Sequence, residues 1–117
     1  MMNKNLALLA GSIALASSFY AMAQGTPLKG KPEAARTKVS MCIGCHGIPM
    51  YHTAFPEVYH VPLIAGQSPQ YIVQALEEYR SGDRSHPSMR AIAKSLSDQD
   101  IADLAAYYGT STDEALR

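Results

Sequence analysis

The 117-residue chain carries ten basic and ten acidic residues. That neutral balance excludes the basic excess or basic stripe that nucleic-acid binding calls for. It holds two cysteines, and a disulfide closing so short a loop would add little as a staple.

Met1 to Ala23 reads as an export signal. Lys4 gives a positive n-region, Leu6 to about Ala16 is an apolar run, and Ala21-Met22-Ala23 offers small residues at a cleavage site. Cleavage before Gln24 is predicted. The apolar run is shorter than the roughly 20 residues of a spanning helix, and no cysteine at the cleavage point invites a lipid anchor. The expectation is an exported, periplasmic protein with no stable membrane insertion, its mature part a single domain over 24–117. Without Lys4 that part has nine basic residues against ten acidic, a net charge near minus one. A domain this small has little core, so a cofactor often tips its stability.

Gln24 to Gly30 is a lead-in without periodicity. Pro32 and Glu33 suit the first turn of a helix running through Val39 toward Cys42. Gly47 to Gly66 is a long loop with Pro49, Pro56 and Pro62 and the aromatics Tyr51, Phe55 and Tyr59. Ser68-Pro69 then reads as an N-cap followed by proline at N1. The helix it opens carries Ile72, Ala75, Leu76 and Tyr79 on one face and ends at Ser81-Gly82. Met89 to Ser95 is predicted as a short helix. Ser97 and Asp100 form a capping-box-like pair for the last helix, with Ile101, Leu104, Ala105 and Tyr108 on one face and Gly109 as its stop. With no alternating strand pattern and no repeat, the fold class is all-α.

The chemistry concentrates in "MCIGCHG", Met41 to Gly47. A thioredoxin-like C-x-x-C needs strands around it, and none are predicted. A structural zinc site needs four ligands, and Cys42, Cys45 and His46 supply three without help from His52, His60 or His86. The third reading is covalent haem attachment. Both thiols add to the porphyrin vinyl groups, and the adjacent histidine ligates the iron. The export signal and the small helical domain agree with it.

The pieces "CIGCHG", "PLIAGQSPQYIVQAL", "YRSGDRSHPSM" and "AIAKSLSDQDIADLAAYY" resemble the class I c-type cytochromes, in particular bacterial single-haem periplasmic ones. The resemblance covers about Gly30 to Tyr108. It implies a small cytochrome c fold, with three main helices and a short one wrapped around one covalently bound haem c attached through Cys42 and Cys45. It further implies His46 as one axial ligand, Met89 as the other, the Pro62 carbonyl as the acceptor that orients His46, and Ile64 on the haem face. His86 is the rival for the second axial position. Met41 sits in the attachment helix, and Met50 follows His46 too closely to reach the opposite haem face.

Leu104 and Tyr107 match positions where the last helix meets the first, and Ala35 stands where relatives commonly have glycine. The loop Ile48 to Val61 departs from the glycine-rich form of relatives. His52 and His60 read as surface or capping residues, and one of Arg80, Arg84 and Arg90 can meet a haem propionate. The implied function is one-electron transfer rather than catalysis. Partners would be redox proteins such as a terminal oxidase, a reductase or a dehydrogenase. The alternatives are a haem subunit of a dehydrogenase complex, and a ligand-binding haem protein if the sixth position is open.

Overall fold

The structure, a computed structural model, describes residues 27–54 and 58–111. The predicted export signal lies outside the described residues, as does Phe55. Among the described residues there are five helices, α1 (Pro32–Ala35), α2 (Ser40–His46), α3 (Pro69–Ser81), α4 (Pro87–Lys94) and α5 (Asp98–Thr110), and one minimal antiparallel pair, β1 (His52–Thr53) with β2 (Tyr59–His60). The architecture is helical, as expected. None of the described helices is long and apolar enough to cross a membrane.

The first predicted helix is divided. Between α1 and α2 the backbone keeps turning, but Lys38 N–H bonds back to the Ala35 carbonyl and Cys42 N–H to that of Val39, both three residues away. Thr37 and Val39, stiff at χ1, fall in this tightened stretch, where regular helix is least favoured. The start of α1 has no side-chain cap of its own. Instead the buried Asp103 carboxylate of α5 accepts the Lys31 N–H at 2.7 Å and the Gln99 amide at 2.8 Å, while the Gln99 amide also donates to the Lys29 carbonyl. A carboxylate near a helix start is favoured by the exposed N–H groups there.

The long helices begin and end largely as their sequences predict. Ser68 accepts the Tyr71 N–H with Pro69 in the first turn, and left-handed Gly82 closes α3. Helix α4 starts two residues before the predicted Met89, because His86 caps it and Pro87 takes the first turn. The Ser97–Asp100 capping box of α5 is complete in both directions. Its hydrogen bonds to Ser97, reinforced by Lys38, hold the Asp100 carboxyl below its ordinary value.

Gly109 does not stop α5, which continues through Thr110. A side chain at Gly109 would collide with the Pro69 ring, so packing against the start of α3 accounts for this glycine. Ala35 does lie at the helix crossing, 1% exposed. A close approach to α5 lies five residues earlier, at Gly30. A Cβ there would overlap the Ala102 carbonyl and the Ala106 methyl.

The core gathers Ala35 and Val39, Ile72 from α3, and Ile101, Leu104, Ala105 and Tyr108 from α5. The predicted α5 face is therefore the buried one. Ile101 and Leu104, each 1% exposed, contribute about 1.5–3 kcal/mol apiece by leaving water. Arg80 pins α3 to the start of α5 through Asp98 at 2.7 Å.

Candidate haem site

Cys42, Cys45 and His46 lie on one short helix, α2, at i, i+3 and i+4. That spacing places them on one face, and all three line the same cleft. Both cysteines are free thiols, Cys42 half-buried and Cys45 exposed. Burial pushes the Cys42 thiol up, opposed by the Tyr108 hydroxyl beside it, so the thiol is protonated at neutral pH. Tyr108 is itself pushed up, first by burial. Although the thiol is near enough to perturb it, the Tyr108 hydroxyl has no partner in hydrogen-bonding geometry.

The cleft has a volume of about 290 Å³. Its far wall is the apolar face of α3, Ile72, Ala75, Leu76 and Tyr79, the four residues whose spacing marked that face in the sequence. Leu104 and Tyr108 of α5 add to the lining, as do Pro62 and Ile64. Gly66, at φ +74°, turns the "PLIAG" segment so that its N–H bonds the Tyr108 carbonyl at 2.8 Å. A side chain resists that left-handed backbone, and glycine does not.

His46 Nδ1 lies 2.7 Å from the Pro62 carbonyl oxygen. A carbonyl only accepts, so Nδ1 carries the proton and Nε2 keeps its lone pair. The ring is held in the tautomer a metal ligand requires. Met89, in the first turn of α4, also lines the cleft. Met50 is 75% exposed and outside it, while Met41 lines it from the attachment helix.

His86 reaches the cleft too, but its Nδ1 accepts the Met89 N–H at 3.4 Å. A neutral ring that accepts at Nδ1 holds its proton on Nε2. Neither nitrogen then offers a free lone pair to a metal.

The structure adds one feature of the cleft that escaped sequence reasoning and singles out another from three candidates. The first is the hairpin: Thr53, Tyr59, His60 and Val61 line the cleft mouth, so the loop that departs from the glycine-rich form covers part of it. The runs Tyr51-His52-Thr53 and Val58-Tyr59-His60-Val61 are rich in strand formers and would have signalled the pair. The second is Arg84, the one among Arg80, Arg84 and Arg90 that lines the cleft. Its guanidinium stands 5.6 Å from the Tyr71 ring centre and 5.4 Å from that of Tyr79, and its Nε is 3.1 Å from a Glu78 carboxylate oxygen.

No family model matches the chain. Curated relatives do. It is 39% identical over 85 residues to cytochrome c4 of Thiocapsa roseopersicina, covering 72% of this chain and 42% of that protein. It is 37% identical over 84 residues to cytochrome c-554(548) of Halomonas halodenitrificans, covering 69% of this chain and 96% of that protein. The chain belongs to the c-type cytochromes.

A third relative is the cytochrome subunit of sulfide dehydrogenase from Chlorobaculum tepidum, 34% identical over 68 residues, or 58% of this chain and 57% of that one. This cytochrome thus spans about two fifths of the c4 relative but nearly all of the c-554(548) protein. Its cofactor is covalently bound haem c, through Cys42 and Cys45. The residues present fit that group. Two thiols on one helix face adjoin a histidine already in the ligating tautomer, the walls are apolar, and a thioether at Cys42 leaves a sulfur beside the orphaned Tyr108 hydroxyl.

Proposed function

We propose that this chain is a periplasmic single-haem electron carrier, exported by residues 1–23 and mature over 24–117, and that it is not an enzyme. In this reading His46 and Met89 are the axial ligands, Pro62 orients His46, and Ile64 packs on the haem face. The haem iron supplies a one-electron couple, and thioether ligation favours its reduced form. Every other part is played by the protein. The Pro62 carbonyl holds the His46 ring, the α3 face and Leu104 keep water from the cleft, and Arg84 is the side chain available to a haem propionate. Two strong ligands leave no coordination position for a substrate.

The observation that carries this reading is the convergence of His46 and Met89 on one apolar cleft, with His46 Nδ1 already bonded to the Pro62 carbonyl. The exposed rings of Tyr59 and Tyr71 at the cleft rim and the near-zero net charge suit brief, weakly steered docking to redox proteins such as an oxidase, a reductase or a dehydrogenase. A second reading, the haem subunit of a dehydrogenase complex, is supported by the likeness to a sulfide dehydrogenase subunit. A co-purifying flavoprotein or quinoprotein would favour it.

The deciding experiment is the far-red absorption spectrum of the oxidised holoprotein, where a weak band reports sulfur bound to ferric haem. The band is expected in the native protein and absent in Met89→Ala, which keeps its haem, has a lower potential and admits carbon monoxide. An unchanged potential in Met89→Ala would overturn the assignment.

A further inference from the structure

His52 and His60 face each other directly across the β1–β2 pair, so both side chains rise from one face of the hairpin. Both are exposed, and neither is an iron ligand in the proposed reading. His52 Nδ1 lies 2.9 Å from the Met50 carbonyl oxygen. Since the carbonyl can only accept, Nδ1 carries the proton, and in the neutral ring Nε2 keeps its lone pair. Metal-bound imidazoles are usually oriented in this way, by a backbone carbonyl on the nitrogen away from the ion.

The ring spacing agrees. A Zn–N bond is about 2.0–2.1 Å, and a ring centre lies about 1.1 Å beyond its nitrogen, so each centre stands about 3.2 Å from the ion. For N–metal–N angles between about 90° and about 110°, two ring centres are then about 4.5–5.2 Å apart. The His52 and His60 centres are 4.9 Å apart. Among the described residues no group of three or more His, Cys, Asp or Glu side chains is placed to hold a metal ion, so such a pair would form an open site completed by water rather than a closed structural one.

We propose that His52 and His60 form a two-imidazole binding site for a borderline divalent cation such as Zn²⁺, separate from the haem ligands. Imidazole nitrogen suits such ions better than it suits Mg²⁺ or Ca²⁺. The ion clips β1 to β2 at the mouth of the cleft, which His60 and Thr53 line.

The test uses the reduced, haem-loaded protein titrated with zinc chloride at slightly alkaline pH, read by calorimetry and by imidazole ¹⁵N shifts. The expected result is one Zn²⁺ per chain, with the His52 and His60 nitrogens moving together and those of His46 and His86 unmoved. His52→Gln and His60→Gln should each weaken binding by about tenfold or more, because a chelate becomes a single contact. Both substitutions lie at exposed positions, and an unchanged far-ultraviolet circular dichroism spectrum and thermal midpoint verify that each variant is folded. No heat and no shift at millimolar Zn²⁺ would overturn the proposal. So would binding that both variants retain in full, or native-protein shifts centred on His86.

Discussion

The His46 ring and the Pro62 carbonyl are joined at 2.7 Å across sixteen residues of chain. One hydrogen bond therefore couples the attachment helix to the loop that leads into α3. It fixes the ring's tautomer and orientation before any metal is considered.

Replacing Pro62 by Ala keeps the carbonyl but frees the backbone that aims it. Haem should remain attached, while a weaker hydrogen bond makes the imidazole a less basic ligand. A higher reduction potential is expected, measured by redox titration of the variant against the native protein. A lower potential would mean that Pro62 does not orient His46.

His86 serves α4 as its N-cap through the Met89 N–H. His86→Ala should leave the far-red sulfur band in place and lower stability by about 1 kcal/mol, the ordinary worth of a cap. Denaturant unfolding of the holoprotein gives the second quantity. A native protein that lacks the band, and in which His86→Ala opens the iron to carbon monoxide, would instead make His86 the ligand.

The capping box at Ser97 and Asp100 gives α5 a pH-dependent anchor. The Asp100 carboxyl is held below its ordinary value of 3.8 by hydrogen bonds to Ser97 and by Lys38. A carboxylate depressed in the folded state adds stability above its unfolded pKa and loses it as pH falls through the folded value. Ser97→Ala should cost about 1 kcal/mol at neutral pH. Asp100→Asn should flatten the fall in stability below about pH 4, followed by urea unfolding at several acidic pH values.

Gly30 touches α5 so closely that even one methyl group has no space. Gly30→Ala should destabilise the protein by about 1–3 kcal/mol, the usual cost of overpacking a tight contact. Thermal unfolding measures it. A neutral result would mean that the lead-in segment shifts away from α5 without loss.

The parts legible in the sequence are those set by neighbours in the chain. Ser68-Pro69, Gly82 and the Ser97–Asp100 pair mark helix ends through bonds spanning three or four residues, and the apolar faces of α3 and α5 follow from helical spacing. The C-x-x-C-H run likewise carries its own geometry on one turn of α2. Misreadings arose where a distant partner decides. Gly109 looks like a helix stop but is placed by Pro69, and nothing local marks Gly30 as a contact with α5. The α1 start, lacking a local cap, takes its carboxylate from Asp103.

By itself, then, the sequence determined a small helical domain with a haem-attachment motif, because capping, periodicity and motif spacing are local properties. The tertiary structure alone decided which nitrogen of His46 holds its proton, that Met89 faces the cleft while His86 is occupied as a cap, and that His52 and His60 meet ring to ring. Those relations depend on side chains brought together from separate elements, and hydrogen-bond direction and packing distance exist only once the chain has folded.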